Sequence, residues 1–571
     1  MIQIRHYAAS GTLAKTIALT YDNVGNLKTY NDGITSAAYD YDDVYRKTQE
    51  TVNYGAFSLT TSYAYNKNGT KKSFTYPGGV TIDYTYDGNN QPLGMNIPGA
   101  GYLTYNTYRW NRPTAITLPG GGTKQYDYDP LMRTKTIAGN NPSQNPILSY
   151  QYGYDKMDNI TQKNTEHGNY GYGYDELYRL IQAANAAQGD EAYTYDQVGN
   201  RLTSTAASDW TYNQNNEFQS YSGVSFQYDA NGNATQKNEG AQIRDFIYDA
   251  DNRLIEVRDG SNSTIATYSY DLFGRRIKKD VGGTVTYYLY SDEGLIGEYG
   301  SAGNEIKTYG YKPNSTWTTD PVFMKEGGNH YFYHNDHLGT PQKMTTVSGA
   351  VAWSATYDAF GKATVDAGAT VANNLRFPGQ YNDQETGLHY NYFRDYSPII
   401  GRYIEEDPVG LRGGIDLYAY VSNRPIILLD PWGLWTYPTT GPIRGNDAWG
   451  SGAYGARRDG GSRKHAGVDY SGVPGSNVYA PIGGTVEIIG GGVRITGQFD
   501  GEKYSVRVLH INVTVERGKI NEGDIIGTVE DLQEDYPRII DHAHVEIYKR
   551  ENKQDKRKNP RNYIPPYNPC E

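Results

Sequence analysis

Short runs in which apolar and polar residues alternate recur along the first half of the chain, and each run ends in a tyrosine. Examples are AYTY, which ends at Tyr195, and TYSY, which ends at Tyr270. Alternation with a period of two is typical of a strand with one buried face. Turn-forming clusters such as DNVGN and DQVGN follow these tyrosines. The pattern predicts strand–turn–strand units that form antiparallel hairpins.

These units form a repeat array. A Tyr-Asp or Tyr-Asn dipeptide returns at steps of 16 to 26 residues. The dipeptides begin at Tyr21, Tyr41, Tyr65, Tyr86, Tyr105, Tyr128, Tyr154, Tyr174, Tyr195, Tyr212, Tyr228, Tyr248 and Tyr270. Self-similarity at a period near 20 residues indicates one supersecondary unit stacked many times. Successive hairpins are therefore expected to build one long, coiled antiparallel sheet, with the tyrosines as scaffold.

The composition supports a folded, aromatic-rich scaffold. The 571 residues include 57 Tyr and 66 Gly, and the net charge is −11. Disordered chains have few aromatics, collagen needs a strict Gly-X-Y period, and a membrane helix needs about 18 consecutive apolar residues. None of these classes fits. The mild negative charge argues against nucleic acid as a partner of the whole chain. The first ten residues contain no apolar signal-peptide core.

Several blocks after residue 328 support a family resemblance. They read HYFYHNDHLGTPQKMTT, WSATYDAFGKA and FPGQYNDQETGLHYNYFRDYSPIIGRYIEEDPVGLRGG. With the tyrosine repeats, they resemble the YD repeats and associated core of RHS (rearrangement hotspot) proteins. The resemblance implies a hollow β-shell around a C-terminal toxin, with the core closing one end. Thirteen repeats are few for a complete shell, so we expect a partial shell or a longer product. His334 and His337 in the HNDH segment are expected to be structural rather than metal ligands.

Two Asp-Pro-x-Gly motifs lie near the end of this region. They begin at Asp407 and Asp430, and the second reads DPWGL. Asp-Pro followed by Gly is also an ordinary turn. In RHS-like proteins this pair is associated with self-cleavage just after the second motif, here between Leu434 and Trp435. Two carboxylates held close can act as acid and base. Asp407 and Asp430 are therefore predicted to form an aspartyl autoprotease, with turn-only roles as the alternative.

The chain changes character after Leu434. Tyr falls from 48 in residues 1–435 to 9 in residues 436–571. Four of the ten histidines lie in this tail, within HAGVD, LH and HAH, at His465, His510, His542 and His544. Residues i and i+2 of a strand share one face, and zinc accepts imidazole and carboxylate ligands. The tail therefore carries a candidate zinc site.

The order of these motifs resembles LytM or lysostaphin-type zinc metallopeptidases. That resemblance implies Zn²⁺ bound by His465, Asp469 and His544. It implies that one of His510 and His542 takes a proton from the zinc-bound water, and that the other stabilises the tetrahedral oxyanion or reprotonates the leaving amine. The segment EDLQEDYPRII before HAH departs from the Gly- and Ser-rich loop of that family, which leaves the preferred peptide open. A degenerate or structural copy of the site is the alternative.

These patterns predict a mainly β protein, in which a coiled antiparallel β-hairpin repeat shell precedes a small antiparallel β-sheet metallopeptidase domain. The expected segments are a YD-repeat shell at 1–300, an RHS-associated core at 301–434, a linker at 435–458, a LytM-like zinc peptidase domain at 459–550 and a basic tail at 551–571.

The resemblances imply an RHS-type toxin that is secreted or delivered to the cell surface without a visible signal peptide. Its zinc endopeptidase is expected to hydrolyse peptide bonds, with peptidoglycan crosslinks as substrate. An immunity protein and a secretion apparatus are expected partners, whereas nucleic acid and a membrane span are not expected. The alternative is a non-enzymatic surface, adhesion or cell-wall-binding RHS protein with a degenerate tail. A third interpretation has a host or competitor protein as the target.

Overall fold

The computed structural model describes residues 2–7, 13–205, 207–410 and 414–434, and, between 446 and 558, the strands given below together with residues 510 and 514–517. The chain divides into two compact units, Met1–Trp435 and Thr436–Glu571. Regular structure in the described residues is almost all β-strand, apart from 3-10 turns such as Pro119–Gly121 and Val421–Asn423. The prediction of a mainly β, antiparallel fold is confirmed. Among these residues there is no helix with the length and apolarity needed to cross a bilayer.

The first unit begins with a sheet of 19 strands, in which each strand pairs antiparallel with the next along the chain. The strands are β1 Ile2–Tyr7, β2 Leu13–Tyr21, β3 Leu27–Asn31, β4 Ser36–Tyr41, β5 Lys47–Asn53, β6 Ser58–Tyr65, β7 Lys71–Thr75, β8 Thr81–Tyr86, β9 Pro92–Ile97, β10 Gly101–Arg109, β11 Arg112–Thr117, β12 Thr123–Tyr128, β13 Thr134–Asn140, β14 Pro146–Tyr154, β15 Ile160–Thr165, β16 Gly168–Tyr174, β17 Leu180–Ala184, β18 Glu191–Tyr195 and β19 Arg201–Ser204.

A second sheet of 16 strands continues the same sequential antiparallel pairing, and a four-stranded sheet follows it. The second sheet contains β20 Thr211–Tyr212, β21 Phe218–Tyr221, β22 Val224–Tyr228, β23 Ala234–Glu239, β24 Gln242–Tyr248, β25 Leu254–Asp259, β26 Thr264–Tyr270, β27 Arg276–Val281, β28 Thr284–Ser291, β29 Gly294–Tyr299, β30 Glu305–Gly310, β31 Phe323–Glu326, β32 Asn329–Asn335, β33 Pro341–Thr346, β34 Val351–Tyr357 and β35 Ala363–Val365. The four-stranded sheet contains β36 Tyr381–Asp383, β37 Leu388–Asn391, β38 Arg394–Ser397 and β39 Arg402–Tyr403.

In the YD turns that carry an aspartate, the aspartate side chain closes the turn. In the turn after β16, Asp175 Oδ1 accepts hydrogen bonds from the backbone N–H groups of Leu177 (3.0 Å) and Arg179 (2.9 Å). The Asp175 N–H donates to the Arg179 carbonyl, and Arg179 Nε donates to Asp175 Oδ2. Local bonding of this kind is why Asp and Asn favour turns. The predicted strand–turn–strand unit is thereby explained.

The YD tyrosine needs its hydroxyl as well as its ring. Tyr174 OH donates to the Ile160 carbonyl (2.7 Å), and Tyr195 OH donates to the Leu180 carbonyl (2.7 Å). In both cases the acceptor is the first residue of the strand that follows the preceding YD turn. A buried phenol is normally hydrogen-bonded in this way. Each tyrosine therefore ties its own turn to the previous one.

One of the thirteen predicted turns, the one after Tyr105, is wrong. The dipeptide at Tyr105 does not form a turn, because β10 continues through it to Arg109. The chain reverses instead at Trp110, whose φ is 56°. Tyr108 takes over the repeat's contact, donating its hydroxyl to the Pro92 carbonyl. Missing Gly alone does not explain the shift, since the YD turns at Tyr45, Met132 and Tyr178 also place a non-glycine residue at positive φ.

The two large sheets of the first unit share one core. Buried aromatic and aliphatic residues of both sheets belong to a single continuous cluster. Tyr54 OH donates to the Tyr288 carbonyl (2.7 Å), and Tyr76 OH donates to the Tyr309 carbonyl (2.8 Å). Rings therefore supply both the apolar burial and the polar links between the sheets, which accounts for the high tyrosine content.

Residues 381–427 are seated on the turns of the repeats. Side chains from this segment donate to turn carbonyls, in the pairs Asn423 with Gly199 (2.8 Å), Tyr418 with Gly232 (2.9 Å) and Tyr392 with Phe273 (2.9 Å). The turns thus serve as a docking rim for the segment that carries the first Asp-Pro motif and leads into the second.

The second unit contains a seven-stranded sheet, a three-stranded sheet and two short strand pairs. Its strands are β40 Asn446–Asp447, β41 Gly450–Ser451, β42 Arg457–Arg458, β43 Arg463–Lys464, β44 Val468–Ser471, β45 Asn477–Tyr479, β46 Gly484–Ile489, β47 Gly492–Phe499, β48 Glu502–Leu509, β49 Ile511–Val513, β50 Gly518–Ile520, β51 Ile525–Val529, β52 His542–Glu551 and β53 Gln554–Lys558. Val493, Ile495, Val506 and Val508 are fully buried on β47 and β48.

Candidate functional site

Four separate segments bring a buried charged cluster together at the end of the first unit. Arg394 begins β38, Tyr403 ends β39, and Asp407 and Asp430 occupy the two Asp-Pro turns. All four side chains are at least 95% buried. Burial of this many charges is tolerated only where they are paired and hydrogen-bonded. The cluster is therefore a built site, not a pair of surface turns.

The Arg394 guanidinium connects the two predicted aspartates. Its Nη2 lies 2.8 Å from Asp407 Oδ2 and 3.4 Å from Asp430 Oδ2. Its Cζ lies 3.6 Å from the centre of the Tyr403 ring, in a cation–π contact. The structure thus brings Asp407 and Asp430 together, as predicted. No sequence pattern singles out Arg394 and Tyr403, although both lie within the block FPGQYNDQETGLHYNYFRDYSPIIGRYIEEDPVGLRGG.

Asp430 is held by donors on both of its oxygens. Tyr403 OH donates to Oδ2 (2.7 Å), and the Leu434 N–H donates to Oδ1 (3.1 Å). Asn391 Nδ2 contacts both the Tyr403 hydroxyl and the Asp430 carbonyl, each at 2.8 Å. Burial raises the pKa of the Tyr403 hydroxyl well above its usual value, and Asp430 raises it further. Tyr403 is therefore a hydrogen-bond donor at every physiological pH.

The backbone just before the expected cleavage point is clamped into the cluster. Arg394 Nε donates to the Gly433 carbonyl (2.6 Å), and the N–H of the next residue, Leu434, donates to Asp430 Oδ1. Gly433 has a φ of 61°, and a Cβ there would lie 2.3 Å from the Asn391 carbonyl oxygen. Glycine is thus required in DPWGL. Trp435, on the far side of the bond, lies outside the described residues.

A second acidic couple lies beside the cluster. The Asp395 N–H donates to Glu405 Oε2 (2.8 Å), and Tyr248 OH donates to Glu405 Oε1 (3.2 Å). Burial raises the pKa of both the Asp395 and Glu405 carboxyls. Glu405 also lies close enough to Arg394 for the guanidinium charge to oppose part of the rise in its pKa.

The tail histidines are only partly placed. Asp469 on β44 and His544 on β52 are direct partners in the antiparallel register, and Leu509, the residue before His510, pairs with His544 from the other side. His542 is paired with Ser471. The prediction at His465 lies outside the described residues. The backbone therefore brings two of the three predicted zinc ligands to adjacent strand positions.

Within the described part of the chain, no group of three His, Cys, Asp or Glu side chains is placed to hold a metal ion. The zinc ligands and the roles of His510 and His542 stay predictions. His334 and His337 bond to Thr345 Oγ1 (3.1 Å) and to the Ile426 carbonyl (2.8 Å), in structural contacts. Burial lowers the pKa of both imidazoles, which favours their neutral forms.

Comparison with known proteins gives a family match. The Teneurin YD-shell family model matches residues 3–177 and 123–412. A double-stranded DNA deaminase toxin A of Burkholderia cenocepacia is 34% identical over 351 residues, covering 55% of this chain and 24% of the relative. The tRNA nuclease WapA of Bacillus subtilis is 31% identical over 280 residues, covering 46% of this chain and 12% of the relative.

The fold has a counterpart among solved structures. A chain of the Photorhabdus luminescens Tc holotoxin pore superposes with a TM-score of 0.62 at 18% identity, covering 76% of this chain and 26% of that one. The present chain therefore spans about a quarter or less of the length of these relatives and of this structure. At this identity the likeness concerns the fold alone.

The names of the relatives correct three predictions. By name, these two relatives are a DNA deaminase toxin and a tRNA nuclease, and the substrates in those names are nucleic acids. The prediction of a zinc endopeptidase is contradicted by these names and is wrong. So are the predictions of peptidoglycan as substrate and of no nucleic-acid partner. The zinc peptidase prediction rests on motifs in residues 465–544, whereas the family match covers residues 3–177 and 123–412.

Proposed function

Since this chain belongs to the Teneurin YD-shell family, we propose that residues 1–434 are the carrier of a polymorphic toxin and that the carrier cuts its own chain after Leu434. The residues that follow are then released as the toxic effector. Delivery out of the producing cell, as expected for this class of toxin, is part of the same proposal.

One observation carries the self-cleavage proposal. The Arg394 guanidinium holds both aspartates while its Nε holds the Gly433 carbonyl, one residue before the bond in question. Two carboxyls and the backbone to be cut thus converge on one buried group. An Asp-Pro turn alone needs neither a buried arginine nor a second aspartate. Turn-only roles account poorly for this arrangement.

The geometry supports hydrolysis by an acid–base pair. One carboxyl takes a proton from the attacking water, and the other gives a proton to the Trp435 nitrogen as the bond from the Leu434 carbonyl carbon breaks. Asp430 and Arg394 keep residues 433 and 434 in place by their backbone contacts. Positioning of this kind replaces a bimolecular encounter with an intramolecular one.

We expect purified full-length protein to separate into two fragments at neutral pH. The smaller fragment should begin with Trp435, because the backbone contacts of Arg394 and Asp430 hold Gly433 and Leu434, the two residues before the bond. Gel electrophoresis with N-terminal sequencing of the smaller band checks this result. Intact chain alone after prolonged incubation, or a fragment with a different first residue, would contradict the proposal.

Nucleic acid is the substrate class that we propose for residues 435–571. This class is named for the relatives, and a basic strand pair of this chain fits it. In the register of β52 and β53, Lys549 pairs with Lys556 and Tyr548 pairs with Arg557. Residues 549–561 contain seven basic and two acidic residues. Such a cluster suits phosphate contacts, whereas a merely solvated chain end is the alternative.

Full-length protein is expected to shift tRNA or double-stranded DNA in gel electrophoresis at about 50 mM salt and to lose most of this binding by about 200 mM, because counterion release weakens phosphate contacts. Substituting Lys556, Arg557 and Lys558 by Gln should weaken binding about tenfold. Substituting Lys67, Lys72 and Lys135 by Gln is the matched control. Equal binding by both triple variants would rule out the strand pair as the contact surface.

A further inference from the structure

A cavity of about 210 Å³ lies between the first sheet and the segment after β30. Lys124, Tyr126 and Ile116 line it from the first sheet, and Val322 and Leu338 line it from the other side. A cavity of about 150 Å³ is large enough for benzene. This one can therefore hold a small organic molecule.

Lys124 stands out among the buried lysines of the described residues. Lys71 pairs with Glu293 (2.5 Å), and Lys307 donates to the Ala372 carbonyl (2.6 Å). Lys124 is 7% exposed and lines the cavity, yet within the described part of the chain its ammonium has no hydrogen-bond or ion-pair partner. A buried amine without a counter-ion is costly to keep protonated.

Burial and the neighbouring charges shift the pKa of Lys124 in opposite directions. Burial lowers the pKa of Lys124 to about 8, and the Asp320 carboxylate opposes this effect. Arg112, Lys312 and Asp336 also line the walls, and buried His334 is kept neutral nearby. Arg112 and Asp320 are exposed, so the cavity opens to solvent beside them. A ligand can thus reach an amine that is easily deprotonated.

We propose that Lys124 is a reactive lysine and that the cavity is a binding site for a small carbonyl compound, which Lys124 captures as an imine. The nitrogen lone pair attacks the carbonyl carbon to form a carbinolamine, and the carbinolamine loses its hydroxyl group together with the nitrogen proton as water. One C–N double bond replaces the C–O double bond, so no oxidant or reductant is needed. Desolvated lysines are suited to this chemistry.

Glyoxylate with sodium cyanoborohydride is the probe, applied to the purified, folded protein at pH 7 and followed by peptide mass analysis. Reduction of the imine by the reagent leaves a carboxymethyl group on the modified lysine. An amine of pKa about 8 is roughly 10% neutral at pH 7, against less than about 0.1% for an ordinary lysine. Lys124 is therefore expected to react at least about tenfold faster than exposed Lys135.

The pH profile and two variants separate this proposal from its rivals. The Lys124 rate should level off above pH 8, whereas the rate of the free amine Nα-acetyl-lysine under the same conditions should rise through pH 10. Asp320→Asn should accelerate labelling at pH 7, because loss of the carboxylate lowers the Lys124 pKa further. Lys124→Arg should abolish the fast phase, with thermal unfolding as the check on folding. Labelling of Lys124 no faster than of Lys135, or only after unfolding in urea, would overturn the proposal.

Discussion

Replacing Asp430 by Asn is expected to leave the full-length chain uncut under conditions in which the unsubstituted protein releases the fragment that begins at Trp435. The amide cannot accept or return a proton in the way that a carboxyl can, so one half of the acid–base pair is lost. Loss of an acid–base partner commonly costs about 10³-fold or more in rate. The measurement is the appearance of the fragment over time by gel densitometry.

A matched control tests whether the effect is local. Asp416 is a buried acid of the same segment and pairs with Arg402 at 3.0 Å, a setting much like that of Asp430 with Arg394. Asp416→Asn should change the cleavage rate by less than about threefold while removing the same charge. Equal loss in both variants, with matching unfolding temperatures, would mean that the segment's fold is needed rather than the Asp430 carboxyl.

Tyr403→Phe gives an intermediate case. The substitution keeps the ring beneath the Arg394 guanidinium but removes the hydrogen bond to Asp430 Oδ2. Because Asp430 keeps its contacts with Arg394 and the Leu434 N–H, cleavage should slow by about 10- to 100-fold without stopping. A rate equal to that of Asp430→Asn would make the hydroxyl itself a reacting group, contrary to the positioning role argued for it.

Replacing Arg276 by Gln should lower the free energy of unfolding by about 3–5 kcal/mol, which is more than the Arg46→Gln control described below should cost. Arg276 and Asp383 form a buried pair in which Nη2 lies 3.0 Å from Oδ1. The guanidinium also lies within 4.2 to 5.6 Å of four ring centres, those of Tyr268, Tyr288, Tyr381 and Tyr390. Removing it leaves Asp383 buried with only Lys279 as a cationic partner.

Urea unfolding at pH 7 and at about pH 3 checks this expectation. Burial alone would raise the pKa of the Asp383 carboxyl, but Arg276 and Lys279 outweigh burial and hold it below its usual value. The stability that this carboxyl contributes is present above its unfolded pKa of about 3.9 and is lost as the pH falls below that value. The difference between the two proteins should therefore shrink at about pH 3.

Arg46→Gln is the control for that experiment. Arg46 pairs with Asp42 across one YD turn, with about a quarter of each side chain exposed. Solvent screening limits such a pair to roughly 0–1 kcal/mol. If Arg276→Gln costs no more than this control, the buried pair is not what joins β27 to the four-stranded sheet.

The sequence predicted the repeat unit well because its rules are local. The tyrosine that ends an alternating run and the aspartate that follows it each bond to a residue nearby in the chain, as Tyr174 does with the Ile160 carbonyl and Asp175 with the Arg179 N–H. The exception at Tyr105 shows that the dipeptide alone does not fix the turn, because β10 continues to Arg109 and the chain reverses at Trp110. The tail was interpreted from motif order alone, and the substrate that it suggested is contradicted by the relatives.

The sequence by itself determined the antiparallel repeat array, because periodicity and turn chemistry are properties of short segments. It pointed to Asp407 and Asp430 only through the resemblance to RHS proteins, since Asp-Pro followed by Gly is also an ordinary turn. Only the tertiary structure decided that Arg394 joins those aspartates, that Tyr403 and Asn391 hold one of them, and that Lys124 faces a cavity without a partner. Each of these facts depends on segments far apart in the chain meeting in a desolvated interior. There the cost of burying a charge, rather than local preference, decides which groups must lie together.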